Sequence, residues 1–394
     1  MSNNLISRLQ DELDGFERAG TYKKLKTIEG PIGDKVWLKG KGEVVLLSSN
    51  DYLGLANHPE VVSTARDALL SYGASTASVR FICGTQDIHQ TLEADLARFH
   101  GTEAALSYSS CWAANTGLFA AITAPGDVIL SDALNHASLI DGIRATGKGI
   151  IRDVYRHSDM AELEAKLKEH QDAPSRLIVT DGVFSMEGDI APLDQIVALA
   201  KKYDALVVLD DSHGLGVMGK MGRGTAEHFG VMEEVDIFTG TLGKALGAGT
   251  GGFVAGPKAV TEMLVQKSRP HLFSNALPAS VAAAGSKSLE LLDRHPDMVT
   301  ELQTKAAWFR KYLKELGLNP LEGDSAVVPV IVGETATAIR LAGELLEEGI
   351  FVTGFGFPVV PEGEARLRFQ ISAAHTEIEL EETAKALQKC LKAG

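Results

Sequence analysis

Cysteine is scarce in this chain. Its 394 residues carry only Cys83, Cys111 and Cys390, with no C-x-x-C spacing, which excludes a disulfide framework and a cysteine-built zinc site. No metal site is expected. Nowhere do eighteen apolar residues run together, so the sequence offers no membrane-spanning helix. The opening stretch, Met1 to Gln10, lacks a basic segment followed by an apolar one, and no secretory signal is expected. Internal repeats and low-complexity tracts are absent too. Positive charge is in short supply: 38 Lys and Arg face 52 Asp and Glu, a net charge of −14. That balance argues against a nucleic-acid partner or an anionic membrane surface, and a cytoplasmic location is expected. No G-x-G-x-x-G follows an early strand, which disfavours a nicotinamide dehydrogenase.

What is present is a large apolar inventory, 45% of residues, enough for two or three domains. Leu5, Leu9 and Leu13 share one stripe of a helix over residues 5–18, expected to dock on a neighbouring element. Short apolar runs at 127–130, 177–180, 205–209 and 236–239 read as buried strands. Between them lie helical stripes such as Met160, Leu163 and Leu167 after a possible cap at Ser158, and Leu193, Ile196, Val197 and Ala200 after Pro192. Strands alternating with helices predict an α/β fold with a large, mainly parallel sheet covered on both faces. Past residue 285 the pattern changes. Long helical stretches at 286–317 precede a strand at 326–332, a helix at 335–348 stopped by Gly349, and strands at 350–353 and 365–370. A final helix starts from a Thr376–Glu379 capping box. This predicts a smaller α+β C-terminal domain. The expected division is an N-terminal helix and segment over 1–50, a large α/β domain over 51–285 and a small domain over 286–394.

The chemistry sits in two places. The run Leu206 to Leu209 ends in Asp210-Asp211-Ser212-His213, and one β-α-β unit later Lys244 lies in Thr239-Gly240-Thr241-Leu242-Gly243-Lys244-Ala245-Leu246-Gly247. Taken alone, Asp-x-x-His reads as a turn cap with an incidental histidine, and the lysine as a solvated loop residue. Together they are the parts needed to hold pyridoxal 5′-phosphate (PLP). The lysine amine attaches the cofactor aldehyde, and an acid at a strand end keeps the pyridine nitrogen protonated. His213 is then a candidate hydrogen-bond partner of the cofactor phenolate. A phosphate needs backbone N–H donors, and Tyr108 to Asn115 runs small residues into a helix start around Cys111 and Trp112. Thr241 is a second donor candidate. His136, beyond another strand end, is a candidate to stack on the ring, and Ser185 to hydrogen-bond it. Arg366 and Arg368 leave one face of a strand, and either suits a substrate carboxylate.

These segments resemble the α-oxoamine synthases, a family of fold-type I PLP enzymes. The likeness spans essentially the whole chain and is carried by Ser78 to Gln86, Ser131 to His136, Thr180 to Gly188, Asp210 to His213, Thr239 to Gly247, Ser268 to Asn275 and Thr353 to Pro361. The resemblance implies Lys244 as the attachment lysine, Asp210 on the pyridine nitrogen and His136 stacked on the ring. It implies Cys111 and Trp112 backbone on the phosphate with Thr241 assisting, and Ser185 and His213 around the phenolate. Arg368 rather than Arg366 would take the substrate carboxylate, with Asn50 nearby. Ser274 and Asn275 would reach the phosphate of a neighbouring subunit, so a homodimer with shared active sites is implied. Within the family the chain looks most like the members that condense glycine with acetyl-CoA. The alternatives are the members that join alanine to pimeloyl-CoA with loss of CO₂, and a promiscuous enzyme accepting other acyl-CoA substrates. A non-catalytic relative of this fold would be expected to lack the lysine.

Overall fold

The structure is a computed structural model that describes residues 4–393. Residues 1–3 and Gly394, the ends of the expected first and last segments, lie outside the described residues. The first helix, Asn4–Arg18, forms where the periodicity predicts it, yet it buries no residue. Its expected docking is therefore not seen within the chain, and Leu9 and Leu13 stay 43% and 41% exposed. Strands β1 (Lys35–Leu38) and β2 (Gly42–Leu46) then form an antiparallel hairpin.

The large sheet contains β3 (Ala104–Tyr108), β4 (Val128–Asp132), β5 (Ile151–Tyr155), β6 (Arg176–Asp181), β7 (Leu206–Asp210), β8 (Ile237–Thr241) and β9 (Gly252–Gly256). Their order is β3-β9-β8-β7-β6-β4-β5. Only β9 runs against its neighbours; every other pairing from β8 to β5 is parallel. Both faces are covered, and the apolar runs show why. Along β7, Val207 and Leu209 pack in one core layer with Leu163, Leu167, Leu193 and Ile196, whereas Val208 packs in the other with Leu118, Leu139 and Leu264. A strand buried on both sides needs an unbroken apolar run rather than alternation. Polar residues return where the strands end: Asp132, Asp181, Asp210 and Thr241 all close their strands at the same edge. Ligands of open α/β sheets bind at that edge.

Four expectations change in detail. The cap of helix Met160–Glu169 is Asp159, which accepts from Glu162 N, while Ser158 adopts a left-handed φ of 53°. The helical stretch expected over 286–317 is two helices, Ala279–Arg294 and Asp297–Glu315, parted at Pro296, which cannot continue the first. Helix Ala279–Arg294 packs on the helices Pro59–Tyr72 and Asp87–His100, and residues 285 and 286 both lie inside it. The strand expected at 350–353 splits at Val352. After β10 (Val327–Gly333), β11 (Ile350–Phe351) joins β2 in parallel. Then β12 (Thr353–Phe355) pairs with β13 (Ala365–Gln370) in an antiparallel sheet ordered β10-β13-β12. Pro329 is tolerated because β10 is an edge strand, where a missing N–H costs no ladder bond. The last helix, Glu377–Ala393, starts as expected: Thr376 N donates to Glu379 Oε2 at 2.8 Å and Glu379 N to Thr376 Oγ1 at 3.2 Å.

Candidate active site

The ends of β4, β6, β7 and β8 converge on a cavity of about 210 Å³. Its lining includes Cys111, Trp112, His136, Asp210, His213, Thr241 and Lys244, brought together from 134 residues of chain as the motifs predicted. Ser138, Asp181 and Ser212, which the sequence did not single out, line it too.

Asp210 is 3% exposed at the end of β7. Its Oδ2 accepts from Asn115 Nδ2 at 2.6 Å and its Oδ1 from the Ser212 N–H at 2.9 Å. Asp181 is its register partner on β6 and accepts the His136 backbone N–H at 2.9 Å. Burial, reinforced by the charge of Asp210, pushes Asp181 well above the usual carboxylate range. Lys244 follows β8 in a tight turn. Burial lowers its pKa, with the charge of Arg368 adding to the effect and Asp210 opposing it, so the amine gives up its proton more readily than a solvated lysine. Among the described residues, it makes no hydrogen bond or ion pair with another side chain, as suits a lysine whose partner is a ligand. The Cys111 thiol is raised well above its ordinary value by burial, and it stays protonated.

Helix Cys111–Ile122 points its N-terminus into this cavity. Ser110 Oγ caps it by accepting from Ala113 N, leaving the N–H groups of Cys111 and Trp112 without acceptors inside the helix. A Cβ at Gly252 would collide with the Cys111 backbone, so glycine is what lets β9 pass against this helix start. A helix N-terminus whose first amides have no acceptor inside the helix fits a phosphate. Thr241 is more committed than expected: its hydroxyl donates to Gly251 O and accepts from Gly243 N, both at 3.1 Å.

His136 caps helix Ala137–Arg144. Its Nδ1 accepts the Ser138 N–H at 3.2 Å, and a backbone N–H can only donate, so the ring proton resides on Nε2. Burial lowers the pKa of this ring and favours its neutral form. Asn115 Nδ2 also donates to Ser138 Oγ at 2.9 Å, and that hydroxyl lies 2.7 Å from His136 Nδ1. One buried amide thus braces both Asp210 and His136. The Trp112 ring stands edge-on to His136, with centroids 6.0 Å apart.

Six candidate residues, Asn50, Ser185, Ser274, Asn275, Arg366 and Arg368, are not part of the cavity lining. Arg368 on β13 donates to Ser185 O at 2.8 Å and stacks its guanidinium 4.7 Å over Phe355, so Ser185 meets the arginine through its carbonyl. Arg366, two residues away, is 1% exposed and locked to Glu187 at 3.1 Å, Glu364 at 3.2 Å and Met186 O at 3.1 Å. These contacts use Arg366 to anchor a loop. Asn50 lies 2.8 Å from the Gln370 amide, beside Arg368 in sequence and space. Ser274 and Asn275 are exposed on the surface of the single chain, where Asn275 bridges to Val79.

Taken together, the lysine with its lowered pKa, the buried acid and the helix N-terminus match in kind the aldehyde, ring nitrogen and phosphate of PLP. Residues 42–387 match the family described as aminotransferase class I and II. A human mitochondrial 2-amino-3-ketobutyrate coenzyme A ligase (Homo sapiens) is 47% identical over 379 residues, 96% of this chain and 90% of its own length. An 8-amino-7-oxononanoate synthase from Exiguobacterium sibiricum is 46% identical over 384 residues, covering 98% and 97%. Among solved structures, a serine palmitoyltransferase variant from S. paucimobilis, with a PLP–myriocin aldimine bound, superposes with a TM-score of 0.92 at 30% identity over 99% of both chains. Such likeness along nearly the whole length makes this chain a member of the aminotransferase class I and II family.

Proposed function

We propose that this protein is a PLP-dependent acyltransferase that condenses glycine with acetyl-CoA to 2-amino-3-oxobutanoate and CoA, reversibly, in threonine and glycine metabolism. The observation that carries the reading is the convergence of Lys244, Asp210 and the Cys111–Trp112 amides on one cavity. Relatives named 2-amino-3-ketobutyrate coenzyme A ligase, at 45–47% identity over 95–99% of the chain, support the substrate pair.

When bound, PLP supplies an aldehyde that takes up amines and a protonated ring that withdraws electrons from the carbon bearing them. Asp210 holds the proton on the ring nitrogen, and Asn115 and the Ser212 N–H keep its two oxygens aimed. The Cys111 and Trp112 amides would hold the phosphate, with Thr241 beside them. With PLP in place His136 would lie along the ring, His213 would face the phenolate from the cavity lining, and Ser185 would approach the phenolate from outside that lining. Arg368 takes the glycine carboxylate in a charge-assisted pair, with Asn50 alongside. Lys244 Nζ, its pKa lowered by burial, removes a glycine α-proton. His136 Nε2–H donates to the thioester oxygen as that oxygen gains charge.

The assembly is a homodimer in this reading, with Ser274 and Asn275 lent to the partner's phosphate site. The bridge between Val79 and Asn275 supports it by bringing an apolar surface together, where Phe81, Ile82 and Phe273 are 58%, 69% and 70% exposed. The division into a 1–50 segment, a large domain and a small domain belongs to the same reading, with the last boundary moved to Pro296, between two helices. Among the described residues no helix is long and apolar enough to cross a membrane, and a cytoplasmic location suits the acidic surface.

Borohydride reduction of the purified protein should bleach its visible absorbance while leaving the cofactor covalently attached at Lys244, and Lys244→Ala should lose absorbance and turnover together. An active, absorbing Lys244→Ala protein overturns the assignment. A second reading, 8-amino-7-oxononanoate synthesis from alanine and pimeloyl-CoA, has its own support in the relative of that name at 46% identity. Assays pairing glycine or alanine with acetyl-CoA or pimeloyl-CoA decide between them. The expected product is 2-amino-3-oxobutanoate, and preference for the alanine pair reverses the order. Turnover of both pairs identifies a promiscuous enzyme, since such pockets separate substrates poorly by single methylenes.

A further inference from the structure

Two buried polar side chains beside the cavity have no part in the chemistry so far. Tyr52 is 0% exposed and Gln370 is 1% exposed, although 318 residues separate them along the chain. Arg368 decides how the Gln370 amide points, because a guanidinium has donors only. The amide oxygen faces Arg368 Nη2 at 2.9 Å and Nε at 3.3 Å, and the amide nitrogen donates to Tyr52 Oη at 3.1 Å. The Tyr52 hydroxyl must then place its own hydrogen elsewhere. His213 Nδ1 is 2.7 Å away and the Asn50 amide 3.5 Å, so the hydrogen goes to the histidine. Burial, with Lys244, Arg368 and His136 facing the ring, holds His213 neutral. An acceptor at Nδ1 leaves the ring proton on Nε2 of a side chain that lines the cavity.

Every bond in this series donates in one direction: Arg368 to Gln370, Gln370 to Tyr52, Tyr52 to His213, and His213 toward the cavity. We propose that Tyr52 and Gln370 are positioning residues in a one-way hydrogen-bond chain that couples carboxylate binding at Arg368 to the donor strength of His213 at the cofactor. Hydrogen bonds in series polarise one another, more strongly where water is excluded. A carboxylate seated on Arg368 neutralises the positive head of the chain and weakens the donor at its far end. The cofactor thereby senses whether an amino-acid carboxylate is in place. The coupling rests on the PLP reading above, whereas the tautomer of His213 does not.

Two measurements test it. The first is ¹⁵N NMR of histidine-labelled, cofactor-free protein, with the His213 signals assigned by their loss in His213→Gln. Wild type should show only the Nε2–H tautomer at His213, and Tyr52→Phe, which removes one oxygen, should admit the Nδ1–H form. An unchanged tautomer in Tyr52→Phe overturns the chain. The second is the pH titration of the visible absorbance of PLP-loaded protein, with and without acetate as an inert carboxylate. Acetate should raise the wild-type midpoint, and at least half of that shift should vanish in Tyr52→Phe and in Gln370→Met, with acetate binding still detected by calorimetry. A full acetate shift in both variants overturns the coupling with the cofactor reading intact. Wild type that takes up no PLP overturns the cofactor reading and the coupling together.

Discussion

At the residue scale, the least conspicuous side chain in the cavity carries the heaviest load. Asn115 is fully buried, and its one amide nitrogen serves Asp210 at 2.6 Å and Ser138 at 2.9 Å. Nothing local marks it, because an asparagine five residues past a serine cap reads as an ordinary helical residue. Asn115→Ala should weaken PLP binding roughly 10- to 100-fold, since a hydrogen bond to a charged group contributes about 1.5–3 kcal/mol. Titration of the apo-protein followed by visible absorbance reads this directly, and wild-type affinity in the variant would remove Asn115 from the machinery. Lys244, Asp210 and His213 were legible because their spacing encodes a chemistry. Asp181 was not, since its role depends on lying beside Asp210 in the sheet register. Arg366 and Arg368 were indistinguishable as alternating strand residues. Only the neighbours of each, two acids for one and Ser185 O with Phe355 for the other, separate them.

At the scale of elements, the strand ends that hold the site are themselves tied together by His157. It follows β5 and bonds Asp132 at the end of β4 at 3.0 Å and Asp189 beyond β6 at 2.8 Å. Burial lowers its pKa, but the two carboxylates outweigh burial and raise the value to about 10, from an ordinary 6.5. A histidine raised on folding contributes stability that is fully present below its unfolded pKa and is lost as pH rises through the folded one. The melting temperature should therefore fall as pH goes from about 7 to about 10, and His157→Gln should flatten that fall. An equal slope in the variant, measured by calorimetry across that window, would show that other groups govern it. The elements were mostly legible: uninterrupted apolar runs gave the doubly buried strands, and the Thr376–Glu379 pair gave the last helix. Their ends shifted where a local rule was outcompeted, as at Pro296 and at Val352, where one short extended stretch serves two sheets.

At the scale of the whole molecule, the exposed apolar surface is where the proposed dimer would place its second copy. Phe81, Ile82 and Phe273 adjoin Ser274 and Asn275, the residues that the proposed dimer would lend to a partner's phosphate site. Replacing Ile82 and Phe273 together with Asp should yield a chain of half the wild-type mass in sedimentation equilibrium. The same variant should bind PLP more weakly, because each site would lack the groups its partner lends. A monomeric wild type with full PLP affinity rejects the shared-site dimer. The helix Asn4–Arg18, with none of its residues buried, is a further surface that such an assembly can cover.

Periodicity and motif spacing by themselves determined a parallel α/β sheet, a smaller C-terminal α+β region and a lysine–aspartate pair suited to PLP. Those features depend on contacts within an element or on residue types whose chemistry is intrinsic. Tertiary structure alone decided that Asn115 braces Asp210, that Arg366 is a structural anchor, and that Tyr52 meets Gln370 across 318 residues. Hydrogen bonds between side chains so distant leave no local pattern. They exist only once the sheet register and the packing of β13 bring donor and acceptor within 3 Å or so, where direction and distance select the partner.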